Sequence, residues 1–363
     1  MALSKNRVVV ALSGGVDSTL AAALLAQHYE VTGLHFTRVN LTGYPCEVRA
    51  RDDEALASAR AAAAHLGIEL DVVETGARFE PLVDFFCGEY DAGRTPNPCV
   101  LCNATIKWPV LIDAANARGA HYIATGHYAS IVKECGKYHL VRACDRHKDQ
   151  TYFLHRLTQE SLARTIFPLA GMRKSEVRRQ ASKAGLPPAR RAESQEICFV
   201  PPSGYRSVLE RHGRGGLKPG PILDETGSCV GAHEGYQLYT IGQRKGLKVA
   251  LGRPAYVVDI DPDTRAVTLG ARSRLAAGGL VAGDLMWTGG APPSRKFRAA
   301  VQIRYNHPGA NATILCQERV ARVHFDYPAS AVTPGQAAVF YSGDRVLGGG
   351  WIVRAVGADH EFT

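Results

Sequence analysis

Cys99 and Cys102 stand three positions apart in TPNPCVLCN, flanked by prolines and an asparagine. At a turn into a helix such a pair can be half of a metal site, a disulfide, or a nucleophile with a second thiol to resolve it, because all three need the same spacing. A structural zinc site wants four ligands, and the chain has no second CxxC to complete one. A different chemistry is written into ALSGGVDST, Ala11 to Thr19. Gly14 and Gly15 let the backbone turn with positive φ and approach a ligand closely, while Ser13, Ser18 and Thr19 offer hydroxyls beside the unpaired amides of a helix start. The stretch reads as an anion cradle, and no GxxxxGK[ST] loop or GxGxxG after a strand competes with it. Asp17, an acid inside an anion site, is expected to hold magnesium between carboxylate and phosphate; the plainer reading is an acid favoured by the helix dipole.

These residues must be carried by elements. RVVVAL, VTGLHF and LDVVET read as strands, TLAAALLAQHY, DDEALASARAAAAHLGI and FEPLVDFFCGEY as helices, and a helix over 106–117 leads into HYIATGHY. Strands alternating with helices predict an α/β fold, a doubly wound parallel sheet covered on both faces, over roughly the first 130 residues. The anion loop then falls between the first strand and first helix, where such folds bind phosphate. IVKECGKYHLV predicts a hairpin turning at Glu134 to Lys137, followed by a basic helical stretch that Pro187 and Pro188 end. From about Gly213 short alternating runs such as PAYVVDID, FRAAVQIRY and AAVFYSG predict two small β-rich units, with a boundary in 276–284. The expected division is a catalytic unit over 1–204, a central unit over 205–278 and a β-barrel-like unit over 279–363.

At 363 residues, against about 150 per domain, this division is the size expected. MALSKNRVVVAL shows no basic-then-apolar leader, no apolar run is long enough for a bilayer, and nine scattered cysteines fit a reducing compartment, so a cytoplasmic protein without membrane contact is expected. Cys46, Cys87, Cys135, Cys144, Cys229 and Cys316 have no partner at ligand spacing and read as plain residues. The net charge of +9 is concentrated: between Arg142 and Arg191 twelve Lys or Arg face four Asp or Glu. This is a solvated face or a surface for a polyanion.

SGGVDS resembles the pyrophosphatase loop of enzymes that split ATP between its α and β phosphates and adenylate a carbonyl oxygen, replacing it with nitrogen or sulfur. GRTPNPCVLCN, ATGHY, KDQTYFL, ESQEICF, TIGQRKGL and TPGQAAVFY, in that order, resemble the bacterial tRNA-specific 2-thiouridylases over almost the whole chain. The resemblance implies a PP-loop fold with ATP and Mg2+, tRNA as substrate, and sulfur from a cysteine desulfurase or a carrier protein; the sequence does not fix the oligomeric state, and a monomer is the default expectation. It implies Cys102 as nucleophile and Cys198 as persulfide carrier, paired as a disulfide during turnover. Ala11, Leu12, Ser13, Gly14, Gly15, Val16, Asp17 and Ser18, with Phe36 and Gly126, match the nucleotide site, although relatives often have Met where Phe36 stands. Asn97, Pro98 and Cys99 match the segment that meets the target base, and His127, Lys148, Asp149, Gln150, Arg304, Tyr305 and Gln336 match tRNA contacts. Many relatives have aspartate where this chain has Cys99, and a thiol cannot inherit the role of a general base unless its pKa is lowered. Cys99 is then an accessory thiol, or Cys99, Cys102 and Cys198 hold three irons of a four-iron four-sulfur cluster whose open iron binds hydrosulfide. Two rival readings are an amidating synthetase with the same loop and a zinc-stabilised RNA-binding module.

Neutralising Lys148, Arg178 and Arg179 should weaken binding of a tRNA and flatten its salt dependence, each lost phosphate contact lowering the log–log slope by roughly 0.7 to 0.9. A slope that does not change on titration of filter-binding affinity against salt would make these residues a solvated face.

Overall fold

The computed structural model describes residues 4–38, 46–187, 197–249 and 252–357; Pro188, Arg190 and Arg191 of the basic stretch and Glu193 to Glu196 of ESQEICF lie outside the described residues. The chain opens with β1 (Ser4–Ala11), whose Val8, Val9 and Val10 are all buried. A strand apolar on both faces needs cover on both. The cover and the next strands follow in turn: α1 (Val16–Leu25), β2 (Glu30–Thr37), α2 (Cys46–Leu66), β3 (Glu69–Glu74) and α3 (Gly76–Asp91). Next come α4 (Pro98–Cys102), one π turn over Asn103–Lys107, α5 (Trp108–Ala117) and β4 (Ala120–Ala124). The expected parallel sheet forms in the order β3-β2-β1-β4-β7, where β7 is the two-residue Thr165–Ile166, too short to leave a pattern in the sequence. The strand order reverses between β1 and β4, and ligands of open α/β sheets bind in the crevice at such a switch point. Both ALSGGVDST and ATGHY start there.

β5 (Ser130–Glu134) and β6 (Lys137–Val141) make the expected hairpin. Cys135 and Gly136 at its turn have φ of 48° and 78°, the positive values that a two-residue turn between twisted strands demands. The basic stretch is broken into α6 (Thr151–Leu154), α7 (Gln159–Arg164), β7 and α8 (Lys174–Lys183), and α9 (Arg206–His212) follows. A four-stranded sheet, β10-β11-β8-β9, is built from β8 (Gly220–Leu223), β9 (Cys229–His233), β10 (Tyr256–Asp261) and β11 (Ala266–Gly270).

The last unit comprises β12 (Ala276–Trp287), β13 (Lys296–Gln302), β14 (Ala310–Gln317), β15 (Val320–Ser330), β16 (Ala337–Ser342) and β17 (Arg345–Val356). They run β12-β15-β14-β13-β16-β17, and β12 pairs again with β17, so the sheet closes into a barrel without edges. Residues 276–284, expected as a boundary, form the first part of β12. The hairpin of the first unit joins β17 through Val141 and Arg345.

Packing between the first unit and the barrel is close. A Cβ on Gly349 would lie 2.6 Å from the Ala338 carbonyl oxygen and 2.8 Å from the His155 ring. His155 is fully buried there, donates from Nδ1 to the Tyr152 carbonyl at 2.8 Å, and is pushed down by burial to a pKa of about 4. Because this lies below the ordinary histidine value near 6.5, the stabilisation is complete above pH ~6.5 and is lost as pH falls through about 4. Urea unfolding should therefore show a loss on the order of 2 kcal/mol from this group between pH 7 and 4, and His155→Gln should remove that part of the acid sensitivity. Equal acid losses in both proteins would exclude His155 as its source.

Candidate active site

The anion loop leaves β1 through Leu12, whose N–H donates to Leu34 at 2.8 Å. Ser18 Oγ accepts from the Ser13 amide at 3.2 Å and donates to the Gly15 carbonyl at 3.1 Å, while the Ser13 and Ser18 hydroxyls meet at 3.1 Å. Gly14 has φ of 76°, and a Cβ there would lie 2.4 Å from the Ala55 carbonyl oxygen. Gly15 caps α1 without a side-chain acceptor, which leaves the first-turn amides to a ligand. Across the crevice Gly126 follows β4, and a Cβ on it would lie 2.7 Å from the Ser18 nitrogen. Only glycine lets these two backbones pass. Phe36 is half-buried near the end of β2.

Asp17 is occupied. Lys174 Nζ donates to both of its carboxylate oxygens, at 2.7 and 2.6 Å, and the Tyr128 hydroxyl donates to Oδ1 at 2.8 Å. Lys174 comes from the start of α8, and no spacing in the sequence ties it to Asp17.

The thiols are linked to this crevice through Lys107, whose charge acts on Cys99 and Cys102 and also on His127, the residue after Gly126. Pro98 at N1 starts α4 with its φ already helical and no N–H to leave unpaired, so the chain turns into the helix that carries Cys99 and Cys102. Cys102 is buried, Cys99 and Cys198 are half-buried, and all nine cysteines are free thiols. Cys198 lies close enough to Cys99 and Cys102 for their charges to interact. Burial first, then Cys198, push Cys99 up to about 11, against Lys107. Burial likewise pushes Cys102 up to about 12, with Cys198 and Cys99 raising it and Lys107 and Arg38 lowering it. A thiol in such surroundings is neutral near pH 7, so Cys99 has no charge with which to act as a base. Arg38 is bonded to the buried carboxylate of Asp52 and lies close enough to Cys198 for the two charges to interact. Neither Lys107 nor Arg38 was legible in the sequence: each is one cation among many until the fold places it against sulfur.

Several residues matched to tRNA contacts make internal bonds in this structure. Asp149 is buried and accepts from the Ala143 amide at 2.9 Å, Thr151 at 2.6 Å and Arg142 at 3.0 Å. Gln150 Oε1 accepts from the Tyr128 amide at 2.9 Å. Tyr305 packs on Phe153 with ring centroids 4.6 Å apart, and exposed Arg304 donates to the Ser330 carbonyl at 3.2 Å. His127 lies 5.6 Å from the Trp108 ring and is pushed down to about 3, by burial and then by Lys107. Lys148 is half-buried beside Asp149 in sequence. Asn97 bonds the hydroxyl of Tyr152, which itself donates to Ala337 at 3.0 Å. Gln336 Nε2 donates to the carbonyls of Thr95 at 2.9 Å and Pro96 at 3.3 Å, and the Thr95 amide donates to Pro334 at 2.9 Å. The barrel thus holds the loop that enters α4.

Among the described residues no three His, Cys, Asp or Glu side chains are placed to hold a metal ion. Neither a cluster on Cys99, Cys102 and Cys198 nor a zinc site using the CxxH pair Cys144 and His147, both exposed, fits this arrangement. Among the described residues no helix is long and apolar enough to cross a membrane.

Removing the amide in Gln336→Ala should raise hydrogen exchange at the Thr95 amide, which donates to Pro334, by about tenfold, the size of one or two net hydrogen bonds. Unchanged protection would mean that the loop is held without the barrel.

Three family models cover the chain: the tRNA methyl transferase HUP domain over residues 6–202, the tRNA methyl transferase PRC-barrel domain over 206–271 and the aminomethyltransferase beta-barrel domain over 277–352. A tRNA-specific 2-thiouridylase MnmA of Carboxydothermus hydrogenoformans is 45% identical, over 97% of this chain and 99% of its own length. The protein of that name from Geobacter metallireducens is 45% identical over 97% and 98%, and that from Chloroflexus aurantiacus 46% over 96% and 98%. With the loop, the crevice and the thiols in place and relatives aligned nearly end to end, this chain belongs to the tRNA-specific 2-thiouridylase family.

Proposed function

We propose that the chain thiolates the wobble uridine of tRNA at C2, using ATP. The observation that carries the reading is that Cys198, far away in sequence, lies within electrostatic reach of both Cys99 and Cys102, in a chain whose anion loop stands at the switch point of a parallel sheet. A uracil C2 carbonyl is a poor electrophile. Adenylation makes its oxygen a good leaving group, with pyrophosphate released at the loop over Gly14, Gly15 and the first turn of α1. Magnesium accompanies ATP and offsets charge on the leaving pyrophosphate; Asp17 is the residue that would hold it, in exchange for Lys174.

Sulfur arrives as a persulfide on Cys198, from a cysteine desulfurase or a carrier. Its terminal sulfur attacks C2, and AMP leaves with the oxygen. Cys102, as thiolate, then attacks Cys198 Sγ; a Cys102–Cys198 disulfide forms and the 2-thiouridine departs, both electrons coming from the two thiols. An external thiol reductant restores the pair. The base has to leave its stack to reach a buried thiol, so Asn97, Pro98 and Cys99 face it and His127, Lys148, Arg304 and Tyr305 line its approach. The description of two family models as methyl transferase domains suits this site less well, since methyl transfer gives three thiols no task. An amidating synthetase would likewise leave them idle.

The test is single-turnover thiolation of an unmodified tRNA by aerobically purified, iron-free protein with ATP, magnesium and a persulfide donor. Product and a Cys102–Cys198 disulfide are expected from the wild type. Cys198→Ser should give neither, and Cys102→Ser should release pyrophosphate without 2-thiouridine. Activity confined to iron-loaded anaerobic protein and abolished by Cys99→Ser would overturn the persulfide route.

A further inference from the structure

Cys198 follows a stretch outside the described residues, yet its own position is fixed from two sides by α2. Asp52, buried on that helix, takes the Arg38 Nε at 3.1 Å, the Arg38 amide at 3.0 Å and one Nη2 proton. A guanidinium has five donors, so one fully occupied edge leaves others free for the Cys198 sulfur, whose charge interacts with that of Arg38. One residue earlier on α2, Arg51 donates to the carbonyl of Val200, two residues beyond Cys198. Arg51 Nε is buried and has no hydrogen-bond partner among the described residues. Among the described residues the charged and titratable groups tied to this segment are Arg38, Asp52 and Arg51 from one side and Cys99 and Cys102 of α4 from the other, with Lys107 of the π turn acting on those two thiols. Among these described groups the two arginines outnumber the one carboxylate.

We propose that Arg38, fixed by Asp52, forms a subsite for the terminal sulfur anion of a persulfide on Cys198, with Arg51 holding the backbone of the cysteine and supplying a second buried donor. The proposal rests on the functional reading above for Cys198 as the residue that carries the persulfide and for the identity of the final acceptor. Loading needs no redox partner: the Cys198 thiolate attacks the outer sulfur of a donor persulfide, a new S–S bond forms, the donor's S–S bond breaks, and the donor leaves as a thiolate. A terminal sulfur anion in a buried site would otherwise be expelled, because an unpaired buried charge is costly. A guanidinium already anchored on one edge meets it without reorganising, and lysine, lacking the fork, can supply charge but not both contacts at once.

The experiment omits tRNA and ATP. Wild-type protein is treated with glutathione persulfide, desalted and alkylated, and the mass of the Cys198 peptide is followed with time. Sulfane sulfur should persist on Cys198 in the wild type and be lost about tenfold faster in Arg38→Met, the scale of one charge-assisted hydrogen bond. Arg38→Lys should be intermediate. Because Arg38→Met leaves the Asp52 carboxylate buried and unpaired, the double variant Arg38→Met with Asp52→Asn is measured alongside, with its thermal midpoint as a check of folding. Wild-type retention in the folded double variant, or sulfur accumulating on Cys99 or Cys102 in preference to Cys198, would overturn the subsite. Arg38-dependent retention in a protein that fails to thiolate tRNA would leave the subsite standing and remove the functional reading.

Discussion

The peptide from Thr95 to Asn97 hangs between all three units of the chain, and the position of the thiols depends on it. Its amide and carbonyls are bonded to Pro334 and Gln336 of the barrel, the Thr95 hydroxyl meets Thr240 of the central unit at 3.3 Å, and Asn97 bonds Tyr152 of the first. Gly335, with φ of 88°, passes so close that a Cβ would lie 2.8 Å from the Thr95 carbonyl oxygen. A loop of this kind would be mobile if it carried only its own contacts. Here its geometry is imposed from outside, and α4 starts with Pro98 at a defined angle to the sheet. The C-terminal units need no chemistry of their own to be necessary for the reaction.

That placement creates an electrostatic problem which the site solves only in part. Sulfur chemistry runs on thiolates, and burial drives Cys99 and Cys102 up to about 11 and 12. Each thiol that ionises also raises the next. Lys107 and Arg38 work in the opposite direction, and they can favour one anion at a time more readily than three. On this view a cysteine at position 99, where the resemblance implies an aspartate, has a physical sense. An aspartate would place a permanent negative charge beside Cys102, whereas a neutral Cys99 leaves the two cations to Cys198 and Cys102.

The sheet was legible because its signals are local: β-branched runs, Ala-rich helices and a small-residue loop each follow from neighbours in sequence. The β-rich C-terminal half was legible as short strands, but its closure was not, since pairing of β12 with β17 joins residues some seventy apart and no pattern announces it. At the site, SGGVDST and the spaced cysteines stood out by residue type. Lys174, Arg38, Asp52 and Lys107 did not, because a charged residue acquires meaning only from what the fold sets against it. Asp17 shows the same limit from the other side: its acid was visible in the loop, while its partner 157 residues away was not.

The basic stretch carries this point furthest. Its excess of charge suggests a polyanion surface, but much of that charge is engaged by partners within the chain. Arg142 lies 3.7 Å over the Tyr341 ring and bonds Asp149 and Gln302; Arg146 bonds Asp344, Arg156 bonds Asp284, Arg164 bonds the His121 carbonyl, and Lys174 bonds Asp17. Three of these five tie the first unit to the barrel, one braces β4 and one reaches the nucleotide loop. A charge run therefore says little about a partner until its internal partners are subtracted. What it does here is mechanical: Gln150 holds the amide of Tyr128, Tyr128 and Lys174 hold Asp17, and Arg142 with Asp149 anchors the same segment on the barrel. The nucleotide loop and the loop that enters α4 are thereby braced against one barrel, so the group to be activated and the sulfur that must attack it are referred to a common frame.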